Sequence, residues 1–276
     1  MAHEPGESEV RGGPGQGDER RNAFMRNLAH ELSTPLTPLA GYLRILQSEK
    51  LGPLSPQQRR MVEAMIHSTA RITRILENLS DFATLGPGDP RLHPAALDPD
   101  ALAQEVVKEH APAVRDGHLH VQVLPSGGGA VVADARKLRQ ALANLVSNAV
   151  KFSPHGGEVL VEVTRDASSL RYAVYDQGPG IPAAEVESVF EPLEAARRGV
   201  EEVRVPGSGL GLPVARRIAE AHGGRAFLES PPHSQPGVEH VYGGCRIVLE
   251  IPIRPAEAAA AERAPAAGLR PEGPDR

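Results

Sequence analysis

Four short stretches of this 276-residue chain hold side chains whose types and spacing could do chemistry. In the first, His30 is followed directly by Glu31, with Thr34 one turn on and Pro35 after it. A carboxylate beside an imidazole can hydrogen-bond one ring nitrogen, fix the tautomer and take its proton, leaving the other nitrogen as nucleophile. A His-Glu pair on a helix is equally an ordinary solvated surface. The second stretch is QALANLVSNAVKFSP, where Asn144 and Asn148 lie four apart and Lys151 follows on the same helical face. A carboxamide oxygen can ligate Mg²⁺ and a lysine supplies charge for a triphosphate, although a plain polar helix edge accounts for the same residues. In the third, YDQGPGIP, Asp176 closes an apolar run ahead of Gly178 and Gly180. Glycines let a ligand approach the backbone, and a buried carboxylate at a strand end can accept from an exocyclic amine such as adenine N6; a simple turn is the alternative. The fourth, GSGLGLPVARRIAEAHGG, sets Gly207, Gly209, Leu210 and Gly211 at the start of a helix with Pro213 in its first turn. Free amides there suit phosphates. A dinucleotide-binding reading needs a buried strand just before the glycines, and EEVRVP is too short and too charged to be one.

These groups need elements to hold them. Residues 22–85 read as two helices, the first over Asn22–Gln47 with Phe24, Leu28, Leu32, Leu39, Leu43 and Leu46 as its apolar stripe. Pro35 removes a backbone donor and is expected to kink it near the histidine. In the second helix Met61, Met65, Ser68, Ile72, Ile75, Leu79 and Phe82 alternate steps of four and three, a coiled-coil-like seam. Ser55 as N-cap, Pro56 at the first helical position and Gln58 closing a capping box mark its start. A hairpin this short cannot bury its own seam, so the expectation is two copies paired as a four-helix bundle, with packing against the C-terminal domain as the alternative. After a Gly/Pro linker the pattern predicts helices at Ala101–His110, Asp134–Phe152 and Gly211–His222. Strands are expected at Leu119–Leu124, Glu158–Thr164, Leu170–Tyr175, Ala226–Glu229 and Arg246–Ile251, the second and third antiparallel. The fold class is therefore α+β: a helical hairpin, then an α/β sandwich with a mixed sheet and helices on one face. The divisions expected are a disordered arm (1–21), the hairpin (22–85), a linker (86–99), the α/β domain (100–254) and a disordered tail (255–276).

In order, the run His30-Glu31-Leu32-Ser33-Thr34-Pro35-Leu36 with Phe24 upstream, the Asn144–Phe152 stretch, Asp176-x-Gly178-x-Gly180, Phe190-Glu191-Pro192 and the Gly207–Gly211 loop resemble the boxes of two-component sensor histidine kinases. The resemblance covers residues 22 to about 252 and implies a homodimer in which His30 takes the γ-phosphoryl group of ATP and Glu31 is the general base. It further implies that Thr34 orients water for dephosphorylating the partner, and that the partner is the receiver domain of a separate response regulator. Asn148 would ligate Mg²⁺, Lys151 contact phosphate, Phe152 line the nucleotide pocket, Asp176 read adenine, and Asn144 lie near the γ-phosphate. Residues between Glu194 and Pro206 would form a lid, in which Arg197, Arg198 and Arg204 could help neutralise phosphates. The family's aromatic pair after the F-E-x element is replaced here by Leu193-Glu194, which puts lid packing in question.

Bulk composition narrows the field further. A net charge of −5 without a basic run argues against nucleic acid or a membrane surface as partner. The single cysteine, Cys245, excludes an intrachain disulfide and a cysteine metal cluster. There is no apolar run of the ~18 residues a membrane span needs and no signal peptide, so a cytoplasmic protein is expected. Without a sensor region ahead of the hairpin, a signal is expected from a sensory or regulatory protein partner, from the short N-terminal arm or from control of expression. His222, His233 and His240 read as loop or surface residues, and the Pro/Gly/His-rich insertion at 231–244 has no account. Two rival classes share the ATP pocket: clamp ATPases of the gyrase, Hsp90 and MutL superfamily, which lack the His30 box, and a weakly catalytic scaffold or phosphatase.

Overall fold

The computed structural model describes residues 14–86, 89, 91–192, 208–232 and 242–253, with side chains from Asn22 onward. Two compact units divide the chain between Leu85 and Gly86. The first is the hairpin of α1 (Pro14–Gln47) and α2 (Pro56–Thr84). The capping box at the start of α2 is present: the Gln58 amide donates to Ser55 Oγ at 3.2 Å and the Ser55 amide to Gln58 Oε1 at 2.9 Å. The first helix begins at Pro14, ahead of the expected Asn22, and runs unbroken through Pro35 and Pro38.

The hairpin seam differs from the expected stripe. Ala29 and Leu43 on α1 and Val62, Thr69, Leu76, Asn78 and Phe82 on α2 are the buried residues, Phe82 belonging to the expected stripe, and small side chains such as Ala29 let the helices approach closely. Phe24, Leu28, Leu32 and Leu39, with Met61, Met65 and Ile72, stay exposed. Thus α1 carries two apolar stripes, and the expected stripe mixed them: its first four members are outer and Leu43 is inner.

The second unit contains β1 (Ala95–Leu97), α3 (Pro99–Glu109), α4 (Ala111–Asp116), β2 (His120–Leu124), β3 (Val131–Ala133) and α5 (Ala135–Phe152). It continues with β4 (Glu158–Arg165), β5 (Ser169–Asp176), α6 (Gly211–Ala221), β6 (Arg225–Glu229) and β7 (Arg246–Pro252). Five strands form one sheet in the order β2-β4-β5-β7-β6. β2 is parallel to β4 and every other pairing is antiparallel, so the sheet is mixed. β1 and β3 form a separate antiparallel pair that the sequence reading missed.

Side chains alternate across the sheet. The Val163–Tyr172–Leu249 and Val161–Val174–Ile247 rows face the helices, where the Tyr172 hydroxyl donates to the Pro99 carbonyl at 3.2 Å. Leu138, Leu142, Leu145 and Ile218 complete this core without solvent exposure. On the opposite face Leu160, Ala173, Tyr175 and Val248 are covered by Tyr242, which gives the end of the 231–244 insertion a packing role. Among the described residues no helix is long and apolar enough to cross a membrane.

Candidate active site

Each candidate side chain is placed by a local rule. On α1, His30, Glu31 and Thr34 are exposed. The Thr34 hydroxyl donates to the His30 carbonyl at 3.0 Å, and Thr37 makes the same bond to Ser33 at 3.2 Å. Pro35 and Pro38 lack the amides that would bond carbonyls of the preceding turn, so these hydroxyl bonds tighten a stretch short of backbone donors.

The second unit gathers the remaining groups. Asp134 caps α5, its Oδ1 accepting from the Lys137 amide at 3.0 Å, and this fixes the helix that carries Asn144, Asn148 and Lys151. Asn144 is buried and touches the start of α6: a Cβ on Gly211 would lie 3.6 Å from its Cβ and Cγ. One turn on, Asn148 is half-buried, and no hydrogen bond from the described residues engages its carboxamide. The Lys151 ammonium lies 4.5 Å from the centroid of the Phe152 ring, which is 41% exposed.

Asp176 ends β5 on the helix side of the sheet, one residue past Tyr175 on the other face. Its Oδ1 accepts from the Gly178 amide at 2.8 Å and the Cys245 amide at 3.1 Å. The other carboxylate oxygen has no partner among the described residues. Burial pushes this carboxyl above the usual range, against the lowering pull of the two amides. Close packing requires the glycine at 178, where a Cβ would sit 2.9 Å from Asp176 Oδ1 and 3.0 Å from the Phe152 carbonyl. The end of α5 and the loop after β5 therefore share one wall. Gly244 is under the same constraint, since any Cβ there would collide with Asp176 Oδ1.

At the start of α6, Leu210 is the N-cap and no side chain caps the helix. Pro213 has no amide, so the Gly211 and Leu212 amides are the donors left over, a phosphate-sized anion site. The helix is held at its middle, where the Arg216 guanidinium stacks 4.0 Å from the Phe190 ring centroid and bonds Glu187 at 2.6 Å.

Two family models match. Residues 133–255 match the "Histidine kinase-, DNA gyrase B-, and HSP90-like ATPase" model, and residues 20–88 match the "His Kinase A (phospho-acceptor) domain". Histidine protein kinase DivJ of Caulobacter vibrioides is 34% identical over 213 residues, covering 76% of this chain and 35% of DivJ. Full-length ShkA, solved with AMPPNP, superposes with a TM-score of 0.62 at 27% identity, covering 85% of this chain and 46% of ShkA. Histidine kinase ThkA, solved in complex with the response regulator protein TrrA, shares the fold at TM-score 0.51 and 20% identity, over 89% of this chain and 68% of ThkA.

This chain belongs to the two-component sensor histidine kinases. It spans about a third of the length of DivJ and under half of ShkA. In this kinase-family chain the ATPase-like unit brings together three of the four stretches singled out in the sequence: Asn144 with Gly211, and Phe152 with Asp176 and Gly178. Gly207, Leu193-Glu194, Arg197, Arg198, Arg204, His233 and His240 lie outside the described residues.

Four contributors were not anticipated. Gly244 and Cys245 complete the Asp176 socket, and the Cys245 thiol is pushed by burial up to about 11. Ser230 ties the loop after β5 to the entry of β7. His222, read as a loop or surface residue, is instead half-buried at the end of α6. Its Nδ1 donates to the Ile218 carbonyl at 2.8 Å, and its Nε2 accepts the Asp134 amide at 3.3 Å. Asp134 Oδ2 in turn accepts the His93 amide at 2.9 Å, so this one residue, through its carboxylate and its own amide, joins the segment before β1, the start of α5 and the end of α6. Only the His-Gly-Gly spelling after the helix could have flagged His222, and it gave no partner.

Proposed function

We propose that this chain is an ATP-dependent protein histidine kinase that phosphorylates itself on His30 and passes the phosphoryl group to an aspartate of a separate response-regulator receiver domain. The observation that carries this reading is the Asp176 socket: a buried carboxylate with one oxygen held by two amides and the other free. That arrangement leaves an acceptor that suits an exocyclic amine. Adenine N6 would donate to the free oxygen, with Phe152 lining the pocket and the Gly209–Gly211 turn, with Gly207 preceding it, offering amides to the phosphates.

Mg²⁺ fits this site as an ion that keeps most of its water and takes few protein ligands. The unengaged Asn148 oxygen is one such ligand; when bound, the ion would neutralise charge on the triphosphate. Lys151 adds positive charge, and Asn144 stands between the helix and the phosphate loop. At the acceptor, one His30 ring nitrogen attacks the γ-phosphorus as the bond to the ADP oxygen breaks, and Glu31 takes the proton from the other nitrogen. Phosphohistidine then donates to the receiver aspartate. Thr34 orients water for the reverse task, dephosphorylation of the regulator.

The outer apolar residues Phe24, Leu28, Leu32, Leu39, Met61, Met65 and Ile72 support a homodimer in which two hairpins form a four-helix bundle. The need for ATP places the protein in the cytoplasm, under the control of a sensory or regulatory protein partner. The test is incubation with γ-labelled ATP and Mg²⁺ beside a His30→Ala variant. Label on wild type alone, stable to base and lost in acid, is expected. Nucleotide binding without label, or label persisting in the variant, would overturn the assignment.

A further inference from the structure

The carboxylate read above as the adenine selector is not held by its own loop alone. One side of its socket belongs to the loop after β5, which supplies the Gly178 amide. The other side belongs to the chain entering β7. There the Cys245 amide donates to Asp176 Oδ1, the Gly244 amide donates to the Asp176 carbonyl at 3.2 Å, and the Asp176 amide donates to the Cys245 carbonyl at 3.0 Å. These two segments are 60 or more positions apart in the chain, and besides the Asp176 carboxylate itself they are bridged by Ser230, just past the end of β6. Its Oγ accepts from the Ile181 amide at 2.7 Å and donates to the Gly244 carbonyl at 3.2 Å. A hydroxyl has one proton and two lone pairs, so a single atom can serve both segments at once.

No step of the phosphoryl transfer uses Ser230, and packing alone does not call for a hydroxyl there. We infer that Ser230 is a positioning residue for nucleotide selectivity: it locks the loop after β5 to the entry of β7 and so aims the free Asp176 oxygen at the 6-amino group of the base. Without the hydroxyl, the Ile181 amide and the Gly244 carbonyl lose their shared partner, and the loop after β5 is tied to the entry of β7 only at Asp176 itself. The groups proposed above to meet the phosphates lie elsewhere, on α5 and the start of α6. The loss should therefore fall on recognition of the 6-amino group alone.

This inference rests on the Asp176 reading, and the experiment separates the two. Affinity of the full chain for ATP and for purine riboside triphosphate, which lacks the 6-amino group, is measured for wild type, Ser230→Ala, Ser230→Thr, Asp176→Asn and the Asp176→Asn/Ser230→Ala double variant. Thermal melting of each variant checks its folding. Wild type is expected to favour ATP by about tenfold or more, the value of a charge-assisted hydrogen bond. Ser230→Ala should cut that preference about fivefold with affinity for purine riboside triphosphate unchanged. Ser230→Thr should keep the preference, and the double variant should match Asp176→Asn. Should Ser230→Ala fail to fold, Ser230→Cys, whose bonds are longer and weaker, is expected to fall between. A preference equal to wild type in Ser230→Ala or Ser230→Cys, or an equal loss for both nucleotides, overturns the role of Ser230. No preference in wild type removes the Asp176 reading itself, and this inference with it.

Discussion

Replacing Asp176 by Asn tests the nucleotide site and the fold in opposite directions. The substitution is isosteric, and the amide oxygen can keep both bonds that Oδ1 now accepts from Gly178 and Cys245. What changes is the other position, where an acceptor becomes an NH₂ donor facing the adenine amine. The wild-type contact is a charge-assisted hydrogen bond worth about 1.5–3 kcal/mol, and opposing two donors adds about 1–3 kcal/mol of unpaired groups. Affinity for Mg·ATP, followed by titration calorimetry, should fall by roughly two to four powers of ten. Stability should move the other way. Burial raises the folded-state carboxyl above its usual value of 3.8, so the ionised form disfavours the fold. The carboxyl's favourable contribution is complete below pH 3.8 and is lost as pH rises through the folded-state value. At pH 7.5 the neutral Asn variant should therefore melt at or above the wild-type temperature, and the difference should close toward pH 4. Unchanged ATP affinity would refute the adenine reading. A variant less stable than wild type at pH 7.5 would refute the claim that desolvation governs this carboxylate.

Two further predictions concern the hairpin and the α5–α6 joint. Ile72→Ala removes one exposed apolar side chain from each copy of a symmetric interface, and at about 1.5–3 kcal/mol per side chain the dimer dissociation constant should rise at least roughly 10²-fold by sedimentation equilibrium; an unchanged constant would place the interface elsewhere. Burial lowers the His222 folded-state pKa below 6.5, outweighing the Ile218 carbonyl and the Asp134 charge. Its contribution to stability is therefore full above 6.5 and lost as pH falls through the folded-state value. His222→Gln keeps an acceptor for the Asp134 amide without titrating, so its denaturant midpoint should fall less than wild type between pH 7.5 and 5.5, and parallel curves would show that His222 does not titrate in that window.

The sequence was most readable where a single local rule decides the outcome. Ser55, Pro56 and Gln58 specify the start of α2 by capping alone, and the antiparallel β4–β5 pair follows from two apolar runs and a short polar turn. At Asp176 the local pattern left a plain turn open, and the family resemblance was what singled the residue out. The three-residue strands β1 and β3 escaped notice because no periodicity can be read over three residues. The expected stripe on α1 merged two faces because the helix is apolar on two sides, and a spacing pattern does not say which side meets α2. Gly244, Cys245, Ser230 and His222 were missed for a different reason. Each acts through a contact far away in the chain, such as the 88 positions between Asp134 and His222, and nothing local to these residues marks a partner.

The two stripes on α1 also determine where its chemistry can lie. At about 100° per residue, the inner residues Ala29, Leu36, Ala40 and Leu43 fall on one arc of the helix, within about 40° of Ala29. Phe24, Leu28, Leu32 and Leu39 fall on a second arc, roughly 100° to the side. His30 and Thr34 occupy the arc that remains, and Glu31 lies at its border with the outer stripe. If α2 covers the inner arc and a second hairpin covers the outer one, the only open part of the helix is the strip that carries His30, the proposed nucleophile. A hairpin built this way would bury two of its faces while leaving His30 exposed, as the proposed phosphoryl transfers require. In the proposed mechanism both transfers would use the same strip, so the two reactions would alternate: the unit that delivers the phosphoryl group would leave His30 before the regulator takes it.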